Sequence, residues 1–327
     1  MMNAIDPAFP RIVFMGTPAF AVASLDALVT EGFNVVGVVT APDKPAGRGM
    51  KLNESAVKKY AMEKGLRILQ PEKLKNPAFI ETLKELKADL QAVVAFRMLP
   101  EIVWHMPPLG TINVHASLLP DYRGAAPINW AIINGEKETG VTTFKLAHEI
   151  DTGNILLQRR VAIGETETAG ELHDKLMIAG ASLLTETIRG IVDGSIHEQP
   201  QEEIIRKNRL AGDHDTSAAP PHAPKIFTET CDINWNKKVS EIYDLVRGLS
   251  PFPCAFTRLE GKIIKIYTAA KEPAAGPLTA GAVYTDKKSY LKFACSDGYL
   301  HVKEIQMEGK KRMSIEEFLR GYRFSSL

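Results

Sequence analysis

The sequence predicts an α/β protein of two domains: an N-terminal domain with a Rossmann-like, mostly parallel sheet and a smaller C-terminal β-barrel. Strand and helix patterns alternate from Arg11 onwards, which is typical of a parallel sheet covered by helices. Residues 195–224 are polar and rich in proline and alanine, as linkers often are. Short β-patterns separated by turn signals follow, and these favour a small barrel. We therefore assign residues 1–194 to the first domain and 225–327 to the second.

Length and composition fit a two-domain globular protein. The chain has 327 residues, of which 45% are hydrophobic and 24% charged, whereas one domain commonly takes roughly 100–200 residues. No long apolar run predicts a membrane span, and the N-terminus lacks the basic start and apolar core of a signal peptide. The widely spaced cysteines fit neither a disulfide framework nor a zinc site, so we expect a cytoplasmic, metal-free protein without membrane contact. They are Cys231, Cys254 and Cys295.

The first βαβ unit is predicted over Arg11–Val39. Arg11–Met15 is a β-rich apolar run, Ala19–Glu31 has apolar residues at helical spacing, and Asn34–Val39 is a second apolar strand. Gly16 follows the first strand, where dinucleotide-binding proteins have the first of three glycines. The second and third glycines of that fingerprint are missing, so a nucleotide-dependent dehydrogenase is disfavoured.

The segment Thr40–Glu54 is an unusual connection for its place after a buried strand. Its prolines and glycines disfavour regular structure. Unstructured loops longer than about 12 residues are uncommon and are usually functional. Three cations are spaced along it, namely Lys44, Arg48 and Lys51. The alternative is an ordinary polar and mobile loop.

Beyond this loop, helix and strand patterns keep alternating, which extends the predicted parallel sheet. Ser55 suits the N-terminal cap of a helix, and Gly65 suits its end. The predicted strands are Arg67–Leu69, Leu90–Phe96, Thr111–His115 and Val141–Leu146. The predicted helices are Ser55–Lys64, Pro77–Lys87, Ala126–Asn134 and Thr168–Val192.

The strand Thr111–His115 carries the residues that point most directly to chemistry. Side chains two apart on a strand share a face, so Asn113 and His115 project together. An amide can stabilise a developing oxyanion and an imidazole can move a proton at neutral pH, a combination that suits acyl transfer. Asp151, just before a glycine turn, can supply the carboxylate that orients such an imidazole. The alternatives are two satisfied polar residues near a sheet edge and an ordinary Asp-Thr-Gly turn.

Three motifs in a fixed order are more specific than any one of them: Asn-x-His-x-Ser-Leu-Leu-Pro from Asn113, Arg-Gly-Ala-Ala-Pro from Arg123, and Asp-Thr-Gly from Asp151. With them the chain resembles the formyltransferases that use 10-formyltetrahydrofolate, most closely those that act on methionyl initiator tRNA. The resemblance implies transfer of the formyl group to the α-amino group of that tRNA. Asn113 would bind the oxyanion, with His115 beside it and Asp151 orienting the imidazole. No metal is expected, because the donor already carries an activated formyl group.

The resemblance also implies which residues bind the two substrates. Those implied to border the folate are Ser117, Leu118, Leu119, Pro120, Phe96 and Met98. The run Phe96–Pro100 replaces the Ala-Tyr-Gly that is more usual in the tRNA enzymes. The basic loop is implied to enter the acceptor stem of the tRNA through Lys44, Arg48 and Lys51. Arg48, which lies between two glycines, is the expected main contact.

The C-terminal region predicts a second, basic unit. From Ala223 to Leu327 there are 17 Lys and Arg against 12 Asp and Glu, which suits an RNA partner, although such imbalances are also common on solvated surfaces. A helix is predicted over Val239–Leu249, and a last one over Ser314–Arg320 with a capping box. The predicted strands, which suggest an oligonucleotide-binding (OB-like) barrel, are Cys254–Leu259, Ile263–Ala269, Gly281–Tyr284, Leu291–Ala294 and Tyr299–Gln306.

Two other functions stay open at this point. A folate-dependent formyltransferase acting on a small amine, such as a sugar nucleotide, would share Asn113, His115 and Asp151, but it would not explain the basic loop or the basic C-terminal domain. A non-catalytic RNA-binding module on a dead scaffold is disfavoured by the intact Asn, His and Asp set. We expect a monomer.

Overall fold

The fold is taken from a computed structural model that describes residues 10–46, 51–211, 219–274 and 276–324. The chain forms two compact units, each assembled from separate stretches of sequence. The first unit consists of Met1–Arg123, Gly140–Val161 and Asp174–His222. The second consists of Gly124–Thr139, Ala162–His173 and Ala223–Leu327.

Strands occur throughout the described residues. Those up to position 162 are β1 (Arg11–Gly16), β2 (Asn34–Val39), β3 (Lys44–Ala46), β4 (Lys51–Asn53), β5 (Ile68–Leu69), β6 (Leu90–Val94), β7 (Thr111–His115), β8 (Arg123–Gly124), β9 (Glu138–Lys145) and β10 (Ile155–Ala162). The later ones are β11 (His222–Ala223), β12 (Ala255–Leu259), β13 (Lys262–Pro273), β14 (Val283–Thr285), β15 (Leu291–Ala294), β16 (Gly298–Met307) and β17 (Met313–Ser314).

Helices alternate with these strands in the first half of the chain, as predicted. The first five are α1 (Ala19–Thr30), α2 (Ala56–Glu63), α3 (Pro77–Glu85), α4 (Glu101–Trp104) and α5 (Pro127–Ile133). The others are α6 (Ala169–Asp193), α7 (Gln201–Ala211), α8 (Thr228–Cys231), α9 (Val239–Leu249) and α10 (Ile315–Gly321).

The large sheet has seven strands in the order β10–β9–β7–β6–β1–β2–β5. Strands β5, β2, β1, β6 and β7 pair in parallel, and β9 runs antiparallel to β7. Phe14 and Met15 in β1 are completely buried, because a parallel strand is covered on both faces. The predicted Rossmann-like, mostly parallel sheet is confirmed.

Cap residues set the ends of the helices around this sheet. The Ser55 hydroxyl accepts a hydrogen bond from the Lys58 backbone N–H at 3.0 Å, which begins α2 as predicted. Gly65 follows that helix with φ of +65°, a left-handed conformation that glycine adopts at little cost. Asn76 caps α3 in the same way as Ser55, accepting from the Ala78 backbone N–H at 2.9 Å.

The prediction of an unstructured Thr40–Glu54 loop is wrong in part. Strands β3 and β4 pair antiparallel there, with Lys44 opposite Asn53 and Ala46 opposite Lys51. Pro45 is tolerated because a two-stranded ribbon leaves its outward backbone positions unpaired. The tip of this hairpin, including Arg48, lies outside the described residues.

A cation in α2 holds the base of this hairpin. The Lys58 ammonium binds the carboxylate of Asp43 on one side of the hairpin and that of Glu54, at 2.8 Å, on the other. The hydrogen bond from Lys58 lowers the pKa of Asp43 below its usual value. The pairing of Lys58 with Asp43, 15 residues away, is not displayed by the local sequence pattern, and it helps to organise the segment.

The stretch predicted to be a linker also contains regular structure. Helix α7 (Gln201–Ala211) begins there with Glu202 and Glu203 in its first turn, where acidic side chains favour the helix dipole. Ile204 packs against a small core cluster formed by Leu119, Phe144 and Ile155. The proline- and alanine-rich residues beyond α7 suggested a linker for the whole stretch, although the residues of α7 itself are mostly good helix formers.

The second unit is built on an antiparallel sheet in the order β12–β13–β16–β15–β14, with β17 beside β16. Among the described residues this path ends at β12 and β14, which makes it a half-barrel. Helix α9 has the bounds predicted for it. Ser314 and Glu317 form the predicted capping box of α10. Apolar side chains of the sheet, α9 and α10 form one core, including Ile242, Val246, Ile266, Phe293, Leu300 and Phe318.

The three cysteines are buried and unbridged. Burial raises the pKa of Cys254 to about 12 and that of Cys295 to about 11, which keeps these thiols protonated. Groups of three or more His, Cys, Asp or Glu side chains arranged to hold a metal do not occur in the described part of the chain. Within that same part, every helix is too short or too polar to cross a membrane.

Candidate active site

The central strand β7 directs its polar side chains to one face of the sheet. Asn113 pairs with Val93 of β6 and Phe144 of β9, so the strand lies inside the sheet. A Cβ placed on Gly180 of α6 would lie 3.0 Å from Cγ1 of Val114. Helix α6 therefore covers the Val114 face. Alternation along the strand puts Asn113 and His115 on the opposite face.

His115 is held by a backbone carbonyl. The imidazole is 7% exposed, and its Nε2 lies 2.9 Å from the carbonyl oxygen of Tyr122. A carbonyl only accepts hydrogen bonds, so Nε2 carries a proton and donates it. The Nδ1 atom then lies 3.8 Å from Oδ2 of Asp151.

The turn that carries Asp151 is fixed against strand β9. Asp151 has φ of +56°, and its side chain is only 12% exposed. A Cβ on Gly153 would lie 1.7 Å from the Lys145 carbonyl oxygen, so only glycine fits there. The Lys145 backbone N–H donates to the Asn154 carbonyl at 2.9 Å. Close backbone packing therefore determines where the Asp151 carboxylate points.

The Asn113 side-chain amide has no hydrogen-bond partner among the described residues. It is half-buried. Its N–H₂ group is available to donate to an oxygen that enters the site beside His115. The structure thus brings together the three side chains that the sequence predicts as catalytic.

The segment after β7 is held rigidly by hydroxyl and amide side chains. The Thr142 hydroxyl accepts from the Leu119 backbone N–H at 3.1 Å and donates to the Ser117 carbonyl at 2.7 Å. The Gln158 amide donates to the Leu119 carbonyl at 2.8 Å. The Ser117 hydroxyl itself donates to the Asp121 carbonyl at 2.7 Å. The Ser117 hydroxyl and the Leu119 backbone N–H therefore already have hydrogen-bond partners within the protein.

Apolar side chains near this segment differ in exposure. Leu119 and Pro120 are buried, whereas Leu118 is half-buried. Met98, on the connection after β6, is 72% exposed, and Phe96 before it is half-buried. Because β6 and β7 are parallel neighbours, the connections that follow them leave the sheet at the same edge. That edge presents apolar surface suited to a flat ring.

The connection after β6 is anchored by Arg97. Its guanidinium lies 5.5 Å from the centre of the Phe96 ring and donates to the Glu72 carbonyl at 2.8 Å. Loss of solvent around it lowers the pKa of Arg97. These contacts hold Phe96 against the core cluster on this side of the sheet.

The basic loop is described only in part. Lys44 is exposed on β3, and the backbone of Lys51 belongs to β4, the partner strand. The two lysines thus lie on opposite strands of one hairpin. Arg48 lies between them in the chain, outside the described residues.

Sequence reasoning missed Gln201, the first residue of α7. Its amide nitrogen donates to the carbonyls of Asp151 at 2.9 Å and Gly153 at 2.8 Å. Its amide oxygen accepts from Nε of Arg123 at 3.0 Å and also from Nη2. The run of good helix formers from Gln201 could have revealed α7, but nothing local reveals these long-range partners.

Comparison with known protein families identifies both halves of the chain. The family described as "Formyl transferase" matches residues 10–188. The family described as "Formyl transferase, C-terminal domain" matches residues 225–323. The chain belongs to the formyl transferase family. The resemblance inferred from the motifs at Asn113, Arg123 and Asp151 is thereby confirmed, and the chain is an enzyme of formyl transfer.

Individual formyl transferases cover almost the whole chain. A methionyl-tRNA formyltransferase of Parabacteroides distasonis is 56% identical over 319 residues, which are 96% of each chain. One of Phocaeicola vulgatus is 57% identical over 321 residues, also 96% of each. The crystal structure of an N-formyltransferase from Helicobacter canadensis, in complex with folinic acid and dTDP-3-aminofucose, covers 90% of this chain and 98% of its own. Its TM-score is 0.64 at 20% identity, so that likeness concerns the fold.

Proposed function

We propose that this chain transfers the formyl group of 10-formyltetrahydrofolate to the α-amino group of methionyl initiator tRNA, giving N-formylmethionyl-tRNA for translation initiation. The observation that carries the proposal is the 56–57% identity, over 96% of each chain, to relatives named methionyl-tRNA formyltransferase. We assign formyl transfer to residues 1–194, tRNA binding to the OB-like domain at 225–327, and the connection to 195–224. The working form is a monomer.

Asn113 stabilises charge on the formyl oxygen. When the amine adds to the formyl carbon, that oxygen becomes negative, and an amide already aimed at it stabilises the charge. The N–H₂ group of Asn113 makes no hydrogen bond within the described residues and lies on the same strand face as His115, which supports this role. Strand β7 lies inside the sheet, so the donor needs little reorganisation.

His115 and Asp151 move the proton. The attacking amine must lose a proton and the departing N10 of the folate must gain one. Nε2 of His115 is occupied by the Tyr122 carbonyl, so the transfer runs at Nδ1, where Asp151 lies 3.8 Å away. Asp151 keeps the imidazole oriented.

The edge of the sheet after β6 and β7 holds the folate. Phe96, Met98 and Leu118 offer partly exposed apolar side chains for the flat pterin. The rest of the Ser117–Pro120 segment, including the buried Leu119, forms a rigid support behind these side chains. The fit rests on this exposed apolar surface beside Asn113 and His115, since the Leu119 N–H and the Ser117 hydroxyl are already bonded within the chain.

Two basic features bind the tRNA. Lys44, Arg48 and Lys51 on the β3–β4 hairpin contact the acceptor end, and the excess of cations between Ala223 and Leu327 contacts phosphates. Strands β3 and β4 are already paired, so ordering this part of the segment on binding costs less entropy than ordering a free loop would. Arg48 supplies a planar fork of donors suited to base edges or phosphate.

A formylation assay with competing acceptors tests the function. Purified protein, 10-formyltetrahydrofolate and either charged initiator tRNA, charged elongator methionyl-tRNA or an amino sugar nucleotide are compared at equal concentrations. We expect kcat/KM to be highest for the initiator tRNA. Faster formylation of the amino sugar nucleotide would refute the tRNA assignment while keeping the chain a formyl transferase.

Replacing Arg48 by alanine is expected to lower kcat/KM for the tRNA by roughly 10–100-fold, because a specific arginine contact contributes about 1–3 kcal/mol. Folate binding should not change. Arg48→Lys should recover only part of the loss, since an ammonium lacks the planar fork. Lys75→Ala, which removes another exposed cation, is the matched control and should leave the rate unchanged. Wild-type kinetics for Arg48→Ala would remove the hairpin from the recognition site.

A further inference from the structure

Gln201 is a buried polar residue with no place in the mechanism so far. Its side chain is completely buried, although glutamine is usually exposed. Burying an amide is unfavourable unless its donors and acceptor are all bonded. Here both N–H groups and the oxygen have partners, and those partners are Asp151, Gly153 and Arg123.

Backbone contacts fix Gln201 at this position from the side of β10. Ile155 and Gln199 exchange two backbone hydrogen bonds of 2.8 Å, two residues before Gln201. The Asn154 amide donates to the Glu198 carboxylate at 3.0 Å in the same stretch. One turn further along α7, Ile204 is packed into the cluster around Leu119. The helix start is therefore docked against the segment that carries Asp151.

Both partners of the His115 imidazole are connected to this one amide. The donors of Gln201 bind the carbonyls of Asp151 and Gly153, and the Asp151 carboxylate faces Nδ1. The acceptor of Gln201 binds Arg123, the residue after Tyr122, whose carbonyl accepts from Nε2. A movement of Gln201 would change the direction of the carboxylate and of the carbonyl together.

We propose that Gln201 is a positioning residue for formyl transfer. By binding the carbonyls of Asp151 and Gly153, it holds the Asp151 carboxylate against Nδ1 of His115. Its hydrogen bond with Arg123 fixes the position of the neighbouring Tyr122 carbonyl, which accepts from Nε2. This inference rests on the proposed function. It concerns proton transfer rather than substrate binding, because Gln201 is buried among residues of the turn.

Three variants separate positioning from simple packing. Gln201→Leu keeps the volume and removes every hydrogen bond. Gln201→Glu keeps an oxygen for Arg123 and loses both donors to the turn. Gln199→Leu changes an exposed glutamine two residues away and serves as the control. Formylation of initiator methionyl-tRNA is measured from pH 5 to pH 9 with each variant, together with KM for both substrates and the folded fraction.

We expect Gln201→Leu and Gln201→Glu to lower kcat by about 10–100-fold, because a misplacement of about 1 Å in the reacting geometry can cost about 100-fold. Both KM values should stay within about twofold, since no substrate contact is lost. The kcat–pH profile should differ from that of the wild type, because a displaced carboxylate no longer lies against Nδ1, where the proton is transferred. Gln199→Leu should match the wild type.

Several outcomes would overturn the proposal. A wild-type-like kcat in Gln201→Leu would do so, as would full recovery in Gln201→Glu, which would leave the turn contact without a role. A fall in kcat that merely tracks the folded fraction, with an unchanged pH profile, would reduce Gln201 to a packing residue. If the wild-type protein formylates only a small amine, the proposed function fails, and the same three variants are then compared on that amine.

Discussion

The His115→Ala variant will have a kcat for formylation roughly 10²–10⁴-fold below that of the wild type, the range for loss of a proton-transfer group. The imidazole donates to the Tyr122 carbonyl and lies 3.8 Å from the Asp151 carboxylate. No described contact links it to the basic hairpin, so tRNA affinity should remain within about twofold. Single-turnover formylation with enzyme in excess measures the chemical step directly.

Two further variants keep this result interpretable. His115→Gln retains an amide that can donate to the Tyr122 carbonyl but cannot move a proton, so it should fold and remain slow. His197→Ala removes an exposed imidazole and should keep full activity. If His115→Gln turned over at the wild-type rate, the proton would have to travel by another route, and the mechanism proposed here would be wrong.

Asn113→Ala should lower kcat by roughly 10²–10³-fold, which is the loss measured when one oxyanion donor is removed. Asn113→Asp should be at least as slow, because a carboxylate of the same shape cannot donate and repels the developing negative charge. KM for both substrates should change little, since the interaction forms mainly in the transition state. Steady-state kinetics with varied tRNA and varied folate separate kcat from KM.

The control for Asn113 is another asparagine that acts on stability alone. Asn76 caps α3 through its hydrogen bond to the Ala78 N–H. Asn76→Ala should therefore cost about 1 kcal/mol of stability and leave kcat unchanged. A slow Asn76→Ala would mean that destabilisation alone lowers the rate. An active Asn113→Ala would show that the amide does not bind the formyl oxygen.

Local patterns in the sequence determined much of the fold and the centre of the site. Apolar runs of strand length predicted β1 and β2, because residues buried on both faces of a parallel sheet have little freedom of composition. Alternation along β7 placed Asn113 and His115 on one face, since side-chain direction in a strand follows from backbone geometry alone. The order of the motifs then indicated the family.

Contacts between distant segments were decided only by the tertiary structure. Lys58 organises the β3–β4 hairpin through two carboxylates. Glu54 lies only four residues before it, but Asp43 lies 15 residues before it, and no local pattern displays that second pairing. The approach of Asp151 to His115 depends on a left-handed backbone and on close packing at Gly153. Gln201 meets that turn from 50 residues away. Hydrogen bonds of this kind join residues that are distant in the sequence and become neighbours only in the folded protein. A short window of the sequence therefore cannot predict them.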